Sequence, residues 1–176
     1  MPAIRLTKEF RFEMAHVLEG YDGPCRNIHG HSYKLKVTVI GNPISQPGHP
    51  KLGMVIDFGD LKQVVETLIT SRFDHSIAVL ENSNIHRKLA GSDLEKVEAL
   101  PFQPTCENMV EYFARLLAPS LPEGVSLHHL LLHETATSYA EWYADDNPWT
   151  ASGEKSISFV SSVLLEQAAS LLQVSY

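Results

Sequence analysis

Three histidines and one cysteine near the N-terminus are of the types found in metal-and-thiol sites: His16, then Cys25, His29 and His31 in the stretch CRNIHGH. A neutral imidazole binds Zn²⁺ through one ring nitrogen. Three such ligands with a fourth position open is the pattern of a catalytic zinc site, whereas structural sites close all four positions. An H-x-H unit alone says little, because any strand can carry one. A solitary histidine on an apolar face is ordinarily a hydrogen-bonded core residue. Cys25 lies in the segment feeding the H-x-H unit. Beside a dication its thiol would ionise more readily and serve as base, nucleophile or ligand, while taken alone it is an ordinary half-buried loop cysteine.

Two further places hold acid–base types. Asp74 precedes His75, and a carboxylate beside an imidazole can raise its basicity or fix its tautomer. Glu134 closes the apolar stripe of LHHLLLHE, either as rim or as an anchor for a ligand. Cys106 falls in the first turn of an expected helix, whose dipole would lower the thiol's pKa. With no histidine near it in sequence, it reads as structural. Both cysteines are expected as free thiols.

The elements around these residues determine whether they meet. Residues 4–16 alternate, with Ile4, Leu6, Phe10, Phe12 and Met14 on one face, Lys8 as the lapse, and Arg5, Thr7, Glu9, Arg11 and Glu13 on the other. HGHSYKLKVTVIG alternates likewise through Tyr33, Leu35, Val37 and Val39. Paired antiparallel, these strands bring the end carrying His16 against the end carrying His29 and His31, all on the apolar parity. Three imidazoles then converge at one edge. A helix is expected from Asp57–Asp60 to near Arg72, on the stripe Leu61, Val64, Val65, Leu68 and Ile69. A second starts at the Thr105 N-cap and carries Met109, Val110, Phe113, Leu116 and Leu117. Residues 74–103 show no clean period and are expected as loop with short turns. VSLHHLLLHE and TSYAEWYAD form a second hairpin. The order ββααββ implies an α+β fold, a four-stranded antiparallel sheet with two helices on one face. Residues 1–146 make one domain, and 147–176 read as a linker followed by a candidate terminal helix.

Composition narrows the function classes. With 14 Lys and Arg against 21 Asp and Glu the net charge is −7, and no basic run offers a groove for a phosphate backbone, so nucleic acid is not the expected partner. No window has the roughly 18 apolar residues of a membrane span. Without a signal-peptide pattern, the expected location is cytosolic.

In this order along the chain, FRFEMAH, CRNIHGHSYKLKVTVIG, GMVIDFGDLK, FDH, PTCEN and HETATSYAEW resemble the 6-pyruvoyltetrahydropterin and 6-carboxytetrahydropterin synthases. The likeness covers roughly residues 4–144. It implies a tunnelling fold (T-fold), with sheets of several subunits closing into a barrel and two trimers stacking as a hexamer. It implies Zn²⁺ on His16, His29 and His31. It implies Cys25 as proton acceptor, His75 as a proton relay supported by Asp74, and Glu134 completing the relay or gripping the pterin, with Thr105 and Glu107 beside the ring. Sites of this kind are assembled between subunits. The implied substrate is 7,8-dihydroneopterin triphosphate. The three residues between Cys25 and the H-x-H unit resemble the 6-carboxy enzymes of queuosine biosynthesis, which release triphosphate and acetaldehyde. The pyruvoyl enzymes of tetrahydrobiopterin type carry a longer insertion there, and a folate-linked branch has glutamate in place of the cysteine. A non-catalytic zinc- or pterin-binding paralogue and a metal-free module are the rival classes. Residues 76–103 and 147–176 depart from the compact members. The acidic balance would need local bases such as Arg26 or Lys34 to receive a triphosphate.

Overall fold

The computed structural model describes residues 2–148, so the terminal helix expected beyond the linker lies outside the described residues. The two long alternating segments form β1 (Ile4–His16) and β2 (His29–Gly41), paired antiparallel along their whole length. The register sets Phe12 opposite Tyr33, Met14 opposite His31 and His16 opposite His29. β5 (Val125–His133) pairs antiparallel with β2, and β6 (Tyr139–Tyr143) with β5. The register of β5 shifts between Thr38 and Val39 of its partner. That bulge lets both Leu127 and Leu130 turn inward despite their opposite parity.

The sheet is larger than the expected four antiparallel strands. Within residues 76–103, expected as loop, lie β3 (Ser76–Leu80), α3 (Asn84–Leu89) and β4 (Val97–Leu100). β3 runs parallel to the end of β1 and β4 parallel to β3, giving a six-stranded mixed sheet in the order β4-β3-β1-β2-β5-β6. The reason is physical. A parallel strand covered on both faces is a continuous apolar run rather than an alternating one, and SIAVL, with Ala78 and Val79 both fully buried, is such a run. Four residues of β4 are too few to display a period.

The first expected helix is a near-continuous run: α1 (Phe58–Val65), a π-helical turn (Glu66–Thr70) and α2 (Ser71–Phe73). Its N-cap is Asp57, whose carboxylate accepts from Gly59 N at 2.6 Å. The stretch before it, expected extended, forms no strand. α4 (Cys106–Leu117) starts at the expected Thr105 cap, whose hydroxyl accepts from Asn108 N at 3.3 Å. Both long helices cover one face of the sheet. The core between contains Phe10, Phe12, Tyr33, Leu35, Val37, Leu61, Ile69, Phe113, Leu130 and Leu132. Among the described residues no helix is long and apolar enough to cross a membrane.

Phe113 is the hub of that layer, fully buried, with ring centroids 6.1 Å from Phe12 and 5.3 Å from Phe73. Phe113→Ala is expected to destabilise the fold by about 3–5 kcal/mol, read as a lower urea midpoint at unchanged slope.

Candidate metal centre and proton relay

His16, His29 and His31 meet as their strand parity requires. One ligand atom from each lies within 4.8 Å of the others, and the ring centroids are 4.4, 5.1 and 4.9 Å apart. His16 is buried and the other two are half-buried. Main-chain carbonyls set the tautomers. His16 Nδ1 lies 2.7 Å from the carbonyl of Pro104, and His29 Nδ1 lies 2.8 Å from that of Asn27. A carbonyl only accepts, so in the neutral rings both Nδ1 atoms carry the proton and both Nε2 atoms present lone pairs. Those two Nε2 atoms face each other at 3.0 Å. Two acceptors at that distance repel unless a proton or a cation lies between them. His31 Nε2 is buried and makes no hydrogen bond among the described residues. Burial pushes the pKa of His16 down, against the opposing pull of the Pro104 carbonyl and Glu134, and burial does the same to His31. Protons are therefore disfavoured on those two rings, and the donor set fits a nitrogen-binding divalent metal with an open fourth position.

Glu134 follows β5 and stands beside this cluster, with Oε1 3.6 Å from His16 Nε2. The Tyr33 hydroxyl donates a long hydrogen bond, 3.4 Å, to the same oxygen. Burial raises the Tyr33 phenol well above its usual pKa, with Glu134, Cys106 and Cys25 adding to the shift. It stays a donor, and Cys25 is within electrostatic reach of this chamber. In the sequence Tyr33 reads only as one of the residues on the alternating face of the second strand. Its parity with His29 and His31 was the signal that could have placed it in the site. The anchoring carbonyls of Pro104 and Asn27 had no such signal.

Asp74 and His75 stand in ion-pair contact, with His75 Nδ1 3.0 Å from Asp74 Oδ2. The pair is tied to β1: Asp74 Oδ1 accepts from Glu13 N at 2.8 Å, and His75 N donates to Glu13 O at 2.6 Å. The Glu13 N–H holds the Asp74 carboxyl below its ordinary pKa, helped by His75. A cavity of about 400 Å³ is lined by Glu13, His31, Ser32, His75 and their neighbours. It places His75 on a common wall with His31, one of the three clustered histidines, while Asp74 lies outside the lining. Cys25, on a short 3₁₀ turn (Pro24–Arg26), and Glu134 lie outside that lining. Thr105 caps α4, and Glu107 is exposed in its first turn.

Residues 5–145 match the family described as 6-pyruvoyl tetrahydropterin synthase. The 6-carboxy-5,6,7,8-tetrahydropterin synthase of Haemophilus influenzae is 36% identical over 142 residues, spanning 78% of this chain and 97% of that protein. The protein of the same name from Aquifex aeolicus is 30% identical over 161 residues, spanning 78% and 96%. Among solved structures, the 6-pyruvoyl tetrahydropterin synthase of Caenorhabditis elegans is similar at a TM-score of 0.58 and 25% identity, over 81% of this chain and 96% of its own.

Cys106 behaves as the structural thiol expected of it, although its pKa moves opposite to the helix-dipole effect. Its thiol donates to Leu132 O at 3.2 Å, and burial, with Glu134 adding, pushes its pKa up to about 12, which overrides the lowering expected from the α4 dipole. A raised pKa keeps the thiol protonated and unreactive. Alkylation of the folded protein at about pH 8.5 is expected to spare Cys106, and unfolding in urea to restore its labelling, as read by peptide mass.

Proposed function

The chain belongs to the 6-pyruvoyl tetrahydropterin synthase family, and we propose that it converts 7,8-dihydroneopterin triphosphate to 6-carboxy-5,6,7,8-tetrahydropterin, releasing triphosphate and acetaldehyde. The observation that carries this reading is the convergence of three imidazoles, two of them with their Nε2 lone pairs turned inward, beside a carboxylate, in a chain 36% identical to a protein of that name. His16, His29 and His31 would hold Zn²⁺. When bound, the ion supplies a Lewis acid that stabilises negative charge on the substrate's side-chain oxygens.

The chain's own residues do the rest. Cys25 as thiolate takes a proton from a side-chain carbon of the substrate. His75 returns one from Nε2, while Asp74 accepts from Nδ1 and so fixes the tautomer. Glu134 accepts a bidentate pair of hydrogen bonds from the guanidine-like edge of the pterin, and the Tyr33 hydroxyl orients its carboxylate. Thr105 and Glu107 flank the ring, and the Thr105 hydroxyl keeps its own proton to donate while it caps α4. The electrons rearrange within the substrate, so no redox cofactor takes part. Residues 1–146 form the catalytic domain of a cytosolic homo-hexamer, a stacked pair of trimers whose sheets close into a barrel. Cys25 of one subunit works with His75 of another, which agrees with Cys25 lying outside the cavity that His75 lines.

The second reading, a pyruvoyl product, is favoured by the likeness to the Caenorhabditis elegans enzyme. Incubation with 7,8-dihydroneopterin triphosphate and mass identification of the pterin decides between them. The carboxy product is expected, a pyruvoyl product selects the second reading, and no turnover defeats both.

Cys25→Ala is expected to lower turnover by at least ~10²-fold while leaving zinc at one per chain by elemental analysis. Full activity in that variant would remove Cys25 from its role as base.

A further inference from the structure

His75 has a left-handed backbone, φ 59°, which strains any residue carrying a Cβ and persists only where its surroundings over-determine it. Two constraints come from β1: the Glu13 carbonyl accepts from His75 N, and Asp74 Oδ1 accepts from Glu13 N. A third comes from the segment read as loop in the sequence. Lys96, just before β4, donates from Nζ to the carbonyl of Asp74 and, at 2.9 Å, to that of Ser71. Its own carbonyl accepts from Ile77 N at 3.0 Å, so its main chain is pinned two residues beyond His75 while its ammonium reaches back across. The Asp74 carbonyl belongs to the peptide unit that contains the His75 nitrogen. A cation on that oxygen fixes the plane from which His75 departs, and it occupies the carbonyl end of the helical run closing at Phe73, where positive charge is favoured.

We propose that Lys96 is a positioning residue for the Asp74–His75 pair: it locks the left-handed backbone of His75 and so holds the imidazole at the cavity shared with His31. The inference rests on the reading of His75 as the group that returns a proton to the substrate. It gives the β3–β4 segment a task, that of carrying a clamp across the relay.

Lys96→Met keeps the aliphatic stem and removes the donors, whereas Lys96→Arg keeps cation and donors. In the zinc-loaded enzyme, Lys96→Met is expected to lower kcat about ten-fold, with KM and bound zinc unchanged, and Lys96→Arg to restore kcat. In the metal-free protein the His75 amide is expected to exchange with deuterium faster in Lys96→Met than in the parent. A parental kcat in Lys96→Met beside an inactive His75→Ala overturns the positioning role. So does a fall in melting temperature without a change in kcat, since the lysine is then only a helix cap, and so does failure of Lys96→Arg to restore turnover. Parental turnover in His75→Ala instead removes the relay reading on which the proposal stands, and the two failures are distinguished.

Discussion

Two imidazole nitrogens facing each other at 3.0 Å with lone pairs toward one another form the constraint around which the rest of the site is arranged. The β1–β2 register makes His16 and His29 direct cross-strand partners, and the carbonyls of Pro104 and Asn27 remove the freedom of either ring to turn its proton inward. Burial then disfavours the extra proton that would otherwise relieve the conflict at His16. A divalent cation between them would reconcile the lone pairs, and its binding would add to the stability of the fold that creates the conflict.

The same hairpin was the most legible part of the sequence. Period-two alternation fixed which residues of β1 and β2 turn inward, and antiparallel pairing then forced His16 onto His29 without further information. Helix α4 was equally legible through Thr105 and its apolar stripe. Legibility failed where the physical signal is not periodic. The doubly buried run of β3 looks like no alternating strand, and the bulge in β5 reverses parity within LHHLLLH, so a strict alternation count sends Leu127 outward where the structure buries it. Main-chain anchors were invisible in principle, because a carbonyl leaves no mark on residue type. Cys106 shows the remaining weakness: a helix dipole is readable from position, but the burial that outweighs it depends on what packs above.

The open face of the sheet has a charge character unlike the chain's net −7. Arg11 and Lys34 are cross-strand partners and Lys36 stands opposite Glu9, whose carboxyl these bases hold below its ordinary pKa, the Arg11 hydrogen bond foremost. A negative protein can thus present a locally cationic surface, and local fields rather than net charge guide a polyanion at short range.

The carbonyl anchors of the histidine cluster have an evolutionary consequence. Every amino acid has the same carbonyl, so replacing the side chain at position 27 or 104 does not delete the acceptor that orients His29 or His16, provided the local chain path survives. Ligand orientation is thereby insulated from much of the mutational drift that side-chain anchors would feel. What drift cannot spare is the path itself: a single inserted or deleted residue between Phe102 and Thr105 would displace the Pro104 carbonyl and silence the centre without touching a ligand.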